Sequence, residues 1–312
     1  MRAALIERLG EIPSVGDVAD PDPVDGMVNV TMIAAALNPI DLRIASGEWA
    51  GQTPPAPYVP GCEGVGRLED DDRRVWFMAP ENHGSFAERC AIDPARAVEL
   101  PEGLDASVAA CLGVAGLAAW LSLRRRAQLS QGETVLVLGA SGPVGTFAVQ
   151  LAKLMGAARV VAAARSAEGL RRATELGADA TVNIAEVKDL TEAFREATGG
   201  GADVTIDPLW GAPGAAAVAA AARGGRLVQL GQSAGAEASL ASASIRGKGL
   251  SILGFTNFEV PAREQAEAYH ELVERAVSGR LRIDYDAYPL ERIAEAWKRQ
   301  QEGAHRKLVI AF

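Results

Sequence analysis

A glycine-rich turn between a buried strand and an amphipathic helix restricts what this chain can fold into more than any other feature. The stretch 133–165 reads ETVLVLGASGPVGTFAVQLAKLMGAARVVAAAR. Residues 133–138 are a short β-branched and aliphatic run, the pattern of a strand buried on both faces. Gly139, Gly142 and Gly145 follow. Val144, Phe147, Ala148, Leu151, Leu154 and Met155 then recur at helical period until Gly156 ends the helix. A second apolar run, 159–164, returns as a parallel strand. A turn of this spacing lets backbone N–H groups approach a pyrophosphate at a helix N-terminus. Ala140, Ser141, Pro143 and Val144, with the three glycines, are therefore candidate dinucleotide-binding residues.

The residue at the end of the second strand selects the dinucleotide. An Asp or Glu there accepts hydrogen bonds from the adenosine ribose and favours NAD. This chain has Arg165 followed by Ser166, with Glu168 already on the next helix. A guanidinium at that place binds a 2′-phosphate through bidentate, charge-assisted hydrogen bonds, so the expected cofactor is NADP(H).

Alternation of strands and helices continues beyond Arg165. Strands are expected at 180–183, 203–206, 226–230 and 250–253, with helices at 167–176, 189–198 and within 213–222. Counting the first two, six strands with helical crossovers make a doubly wound parallel sheet. Before this region the chain reads as short strands, at 28–34, 61–68, 74–78 and 85–92, broken by Pro, Gly and Asp. An Ala- and Leu-rich helix at 106–123, bent around Gly113 and Gly116, joins the two regions. After it come helices at 262–278 and 290–301 and a final strand at 307–312, too few elements to close a core alone. They are expected to return to the N-terminal β region. The fold class is α/β, with boundaries at 1–117, 118–255 and 256–312.

Composition narrows the partners. A formal net charge of −9 opposes broad binding to nucleic acid or anionic membranes. Cys62, Cys90 and Cys111 have no paired spacing, so neither a disulfide framework nor a CxxC redox site is indicated. The opening MRAALIERLG has too short an apolar run for a signal peptide, and no uncharged span near the length of about 18 residues needed to cross a membrane is expected. A cytoplasmic protein without nucleic-acid or membrane partners is the expectation.

Further motifs carry a resemblance over nearly the whole chain: LNPIDLRIASG at 37–47, PYVPGCEGVGRL at 57–68, HGSFAE at 83–88, GLAAW at 116–120, VLGASGPVG at 137–145, LGADATVN at 176–183, GGRLVQLG at 224–231, IRGKGLSILGFTN at 245–257 and PLERIAEAW at 289–297. In this order they resemble the medium-chain dehydrogenase/reductase superfamily, and within it the zinc-independent quinone oxidoreductase branch. The resemblance implies a GroES-like domain (1–117, completed by 256–312) and a Rossmann domain (118–255), with the active site in the cleft between them. It also implies a homodimer formed by pairing edge strands of the Rossmann sheets. In the alcohol-dehydrogenase branch, Cys, His and Cys ligands occupy the places held here by Asn38, Cys62 and Val114, and a structural-zinc lobe carries four further cysteines. One thiol cannot hold a catalytic zinc, which takes three protein ligands and an open position, so no metal is expected.

Without zinc, a conjugated acceptor suits the site better than an alcohol. Hydride can add to a quinone or an enone while the charge delocalises onto an oxygen held by hydrogen-bond donors. Candidates around the acceptor come from the 37–49 segment. Asn38 can donate its amide to the substrate oxygen or the nicotinamide ribose, or serve only as a turn residue before Pro39. Asp41 fits an orienting role better than that of an acid. Trp49 can wall a flat acceptor, and Arg43 can bind its oxygen or an acidic substituent; both stand where relatives carry tyrosines. Cys62 reads as a small residue filling the histidine's place. On the cofactor side, Gly231 follows its strand into the same cleft, and Phe255 and Thr256 line the nicotinamide pocket. Asp207 can orient loops there or cap its strand, and Lys307 can reach a phosphate or pair with a surface acid. His83 belongs to a turn, while His270 and His305 have no ligand spacing. The activity expected is NADPH-dependent reduction of a small quinone or enone. The alternatives are a biosynthetic enoyl reductase, acting on an unsaturated ketone or thioester, and a non-catalytic cofactor-binding interaction protein.

Overall fold

The apolar run after Glu133 forms the strand Thr134–Leu138, and Val135 through Leu138 are buried. It is central to a six-stranded sheet, ordered Ala180–Asn183, Arg159–Ala164, Thr134–Leu138, Val204–Asp207, Arg226–Gln229, Ser251–Gly254. Every neighbouring pair is parallel. Numbered along the chain this is the order 3-2-1-4-5-6 of a doubly wound dinucleotide fold, with the strand order reversing between Thr134–Leu138 and Val204–Asp207. Phe194, Ala217, Val218 and Leu227 close the core on one face of the sheet. The computed structural model describes residues 1–24, 26–49, 53–80 and 84–312, so His83 lies outside the described residues. The chain divides into two compact units, Met1–Val114 with Pro261–Phe312, and Ala115–Val260.

The first unit is mostly β. Its larger sheet runs Tyr285–Pro289, Lys307–Ala311, Val28–Leu37, Glu63–Leu68, Arg74–Met78, Val98–Glu99, with Arg89–Ile92 also paired to Val28–Leu37. The C-terminal strand enters antiparallel to Val28–Leu37, Leu308 opposite Leu37, so the last residues of the chain complete the first unit's sheet. Met32, Phe77, Phe86, Ile92, Trp297, Leu308 and Ile310 form its core. Tyr269, on the helix Ala262–Val277, stacks on Trp76 with centroids 4.2 Å apart and donates its hydroxyl to Ala109 O at 2.8 Å.

Several elements depart from the sequence reading. Tyr285–Pro289 is a second C-terminal strand, at the sheet edge where its terminal proline costs no ladder bond. Arg2–Leu5 and Ser14–Asp17 pair as a small separate ribbon. A helix forms at Pro39–Ala45, because Pro39 occupies its first turn, where the missing N–H is not needed. The uncharged run 106–123 also corrects the expectation about spans. Ala106–Arg126 is long and apolar enough to cross a membrane by length and composition, but 78% of its most apolar window is buried inside the protein. It breaks where Gly113 leaves helical geometry (ψ −109°), and it serves as a core segment.

Candidate functional site

In the second unit, three loops meet at the strand-order reversal. Gly139 ends the first strand at φ +62°, a left-handed conformation that favours glycine, and a Cβ there would press on Pro208 and Leu209. Gly231 approaches the same loop from the fifth strand: a Cβ would lie 2.5 Å from Pro208 O. Asp207 holds that loop, its Oδ1 accepting from Leu209 N (2.9 Å) and Trp210 N (2.8 Å). It is fully buried, and desolvation raises its pKa.

The turn itself is built for close approach. Gly142 N donates to Gly139 O at 2.9 Å, and Gly142 caps the helix Pro143–Leu154. A Cβ at Gly145 would overlap Gly139 O and lie 2.6 Å from Ala140 Cα, so only glycine lets helix and turn touch. Pro143 has no N–H to leave unpaired, while the first-turn amides of Val144 and Gly145 have no partner within the helix. Ser141, Gly142, Pro143 and Val144 are half-buried; Ala140 and Gly145 are buried.

Arg165 and Ser166 are brought beside this turn by Gly169, where a Cβ would overlap the Ser141 Cβ. Ser166 caps the helix Ala167–Glu175, accepting from Gly169 N at 3.1 Å. The Arg165 guanidinium is exposed and has no carboxylate partner among the described residues. The cradle that a Cβ would fill, the open helix N-terminus and this unpaired cation fit a phosphorylated dinucleotide. Phe255 N donates to Gln229 O at 3.0 Å, and Thr256 caps a short 3-10 turn; Phe255 is half-buried and Thr256 exposed.

In the first unit, the candidates of the 37–49 segment separate into two groups. Arg43 and Trp49 are half-buried and pair with each other, the guanidinium carbon 5.8 Å from the ring centroid. Asn38 and Asp41 are instead 1% exposed and belong to an internal polar network. The Asn38 amide does not face outward as expected. Its Nδ2 donates to Ala36 O (3.1 Å) and Glu63 Oε1 (2.8 Å), and its Oδ1 accepts from Lys307 Nζ at 2.6 Å. Asp41 accepts from Asn38 N (2.7 Å) and Cys62 N (2.9 Å). Burial still pushes its pKa up to about 6, the Cys62 thiol and the Asn38 N–H opposing the rise.

The centre of this network is Glu63, which the sequence reading missed. Its Oε2 accepts from Val114 N (2.7 Å) and Trp76 Nε1 (3.2 Å), its backbone oxygen accepts from Ser85 Oγ (2.7 Å), and it is fully buried. The available signal was a carboxylate within a run of glycine and valine, a place where a charge needs a partner. Lys307 is that partner, 3.5 Å from Oε1. It neither reaches a phosphate nor pairs with a surface acid. Cys62 is half-buried, and its thiol pKa is driven well up, chiefly by desolvation.

Comparison with known proteins places this geometry. Residues 24–77 match the alcohol dehydrogenase GroES-like domain, and residues 143–275 match the zinc-binding dehydrogenase family. A quinone oxidoreductase of Lama guanicoe is 30% identical, the match covering 99% of this chain and 97% of that protein. The crystal structure of the Thermus thermophilus quinone oxidoreductase, described together with its NADPH complex, superposes with a TM-score of 0.87 at 33% identity and full coverage of both chains. The chain belongs to the quinone oxidoreductase branch of the medium-chain dehydrogenase/reductase superfamily. It is an oxidoreductase by family. A third relative, a phenolphthiocerol/phthiocerol polyketide synthase subunit of Mycobacterium tuberculosis, is 29% identical over 96% of this chain, which spans 14% of that subunit.

The superfamily includes zinc enzymes, and the residues of this member do not fit that metal. Asn38 and Val114 offer no thiolate or imidazole. Among the described residues no cluster of three or more His, Cys, Asp or Glu side chains is arranged to hold an ion.

Proposed function

We propose that this oxidoreductase uses NADPH to reduce a quinone or a similar conjugated carbonyl compound without a metal. The observation that carries the reading is the exposed Arg165 guanidinium, without a carboxylate partner among the described residues, beside a glycine turn too tight for any side chain at Gly145. Residues 139–145 would hold the pyrophosphate, Arg165 and Ser166 the 2′-phosphate, and Gly231, Phe255 and Thr256 the nicotinamide half. The bound nicotinamide supplies the hydride. The NADPH complex of the Thermus thermophilus relative supports the choice of dinucleotide.

Toward the acceptor, Arg43 supplies a fixed positive charge for the oxygen that gains electron density, and Trp49 a flat wall against which a planar ring can lie. Asn38 and Asp41 act through position: their hydrogen bonds fix the start of the helix that carries Arg43. No side chain in this set is a strong acid, which suits an acceptor whose reduced oxygen can take its proton from water. Cys62, Cys90 and Cys111 form no disulfide among the described residues, which suits a reducing cytoplasm. A homodimer built through the edge strand Ser251–Gly254 completes the reading.

A second reading rests on the polyketide synthase relative: enoyl reduction of an unsaturated ketone or thioester by the same cofactor site. Steady-state rates with NADPH and NADH against 1,4-naphthoquinone, a 2-alkenal and a simple secondary alcohol test both. Turnover of naphthoquinone with NADPH is expected. Turnover of the alkenal alone excludes a quinone acceptor and favours the enoyl reductase, and turnover of the alcohol alone overturns the reading.

A further inference from the structure

Lys307 is 3% exposed, a depth at which an ammonium persists only when paired and hydrogen-bonded. The antiparallel register that sets Leu308 against Leu37 carries it to the start of the 38–45 segment. There Lys307 Nζ, Asn38 and Glu63 form a closed triangle: 2.6 Å from ammonium to Asn38 Oδ1, 2.8 Å from Asn38 Nδ2 to Glu63 Oε1, and 3.5 Å from ammonium to that same oxygen. Through its other oxygen Glu63 holds Val114 N at 2.7 Å. Gly113 makes this possible, since a Cβ there would overlap Glu63 Oε2 and lie 2.5 Å from Trp76 Nε1. Asn38, Cys62 and Val114, which stand where zinc-binding relatives place their ligands, are each hydrogen-bonded to a buried charged group: Asn38 to Lys307 and Glu63, Val114 to Glu63, and Cys62 N to Asp41.

We propose that Lys307 is a positioning residue for the acceptor-binding segment, its ammonium holding Asn38 directly and Val114 through Glu63. With its oxygen on the ammonium, the Asn38 carboxamide cannot flip, so the helix carrying Arg43 starts from a fixed point. With Glu63 neutralised, the Val114 N–H keeps its acceptor. Among the described residues, Asp41 on that helix, Cys62 before the strand Glu63–Leu68 and Cys111 on Ala106–Cys111 are the other titratable groups facing the ammonium.

Lys307→Met tests the assignment, since it keeps the stem and removes the charge. Glu63 is then a buried carboxylate without its cation, and it binds a proton more readily. The thermal midpoint of K307M is expected to fall between pH 5.5 and pH 8 by at least about 5 °C more than that of the wild type. Adding Glu63→Gln should remove that excess, because the unpaired carboxylate is gone and the two charges lost act on Asp41 in opposite directions. A mere packing defect lowers the midpoint equally at both pH values. The kinetic half of the proposal rests on the reductase reading: KM for the acceptor should rise roughly tenfold in K307M while KM for NADPH stays within about twofold. A wild-type pH profile in K307M, or an excess that survives in K307M/E63Q, overturns the proposal. If K307M fails to fold, K307M/E63Q is expected to fold, and its failure also overturns it. If the wild type reduces no acceptor with NADPH, the reductase reading falls while the pH comparison still decides the role of Lys307.

Discussion

Arg165 and Asp41 show how differently two charged residues of one chain can be used. Arg165 is solvated and has no carboxylate partner among the described residues, so removing it costs the fold little and a phosphate ligand much. Arg165→Ala is expected to raise KM for NADPH tenfold or more, a loss of about 1.5–3 kcal/mol for charge-assisted hydrogen bonds, and to leave KM for NADH unchanged. Steady-state kinetics with both dinucleotides check this. Asp41 has no exposure to lose. Its folded pKa of about 6 lies above the ordinary carboxylate value, so the folded state binds a proton more tightly than the unfolded one. Its contribution to stability is therefore full below pH 4 and lost as the pH rises toward 6, by on the order of 2–3 kcal/mol. Asp41→Asn should be less stable overall, because its amide nitrogen meets an N–H where an oxygen was. It should also lack that pH-dependent component, which urea unfolding at pH 4 and pH 7 would reveal by comparison with the wild type. Arg165 was legible in the sequence because strand and turn fix its place. The Asn38 amide was not, because which way a buried carboxamide points depends on Glu63 and Lys307, 25 and 269 residues away.

Elements were read best where one period runs unbroken. The strand Arg159–Ala164 and the helix Pro143–Leu154 follow from apolar spacing, Pro143 and Gly156. The helix Pro39–Ala45 was missed because at seven residues it has barely two turns in which to show a period. Tyr285–Pro289 was missed because an edge strand with a terminal proline carries little β signal of its own; it is held by pairing with Lys307–Ala311. Contact between the glycine turn and its helix yields an element-scale prediction. Gly145→Val must push the helix N-terminus away from Ala140, at a cost of about 1–3 kcal/mol. NADPH affinity by calorimetry should fall at least tenfold, more than stability alone explains, because the amides proposed to hold the pyrophosphate move with the helix.

At the scale of the whole molecule, the six-stranded sheet ends on Ser251–Gly254. Ser251 N and Phe255 N bond inward, to Gly225 O and Gln229 O, so alternation turns the Ile252 N–H outward. A two-chain mass by light scattering is expected for the wild type. Ile252→Pro, which removes only an outward donor, should give a one-chain mass with unchanged secondary structure; a wild-type monomer would rule out the pairing. The sequence by itself determined the doubly wound sheet, the glycine turn and Arg165 at its rim. All of these are set by residues close along the chain, where spacing, turn chemistry and strand length act locally. Only the tertiary structure decided that Glu63 and Lys307 join Asn38 in one buried network, and that the C-terminal strand supplies its cation. A buried charge is tolerable only through the partners that surround it, and those partners come from segments whose order along the chain carries no sign that they meet.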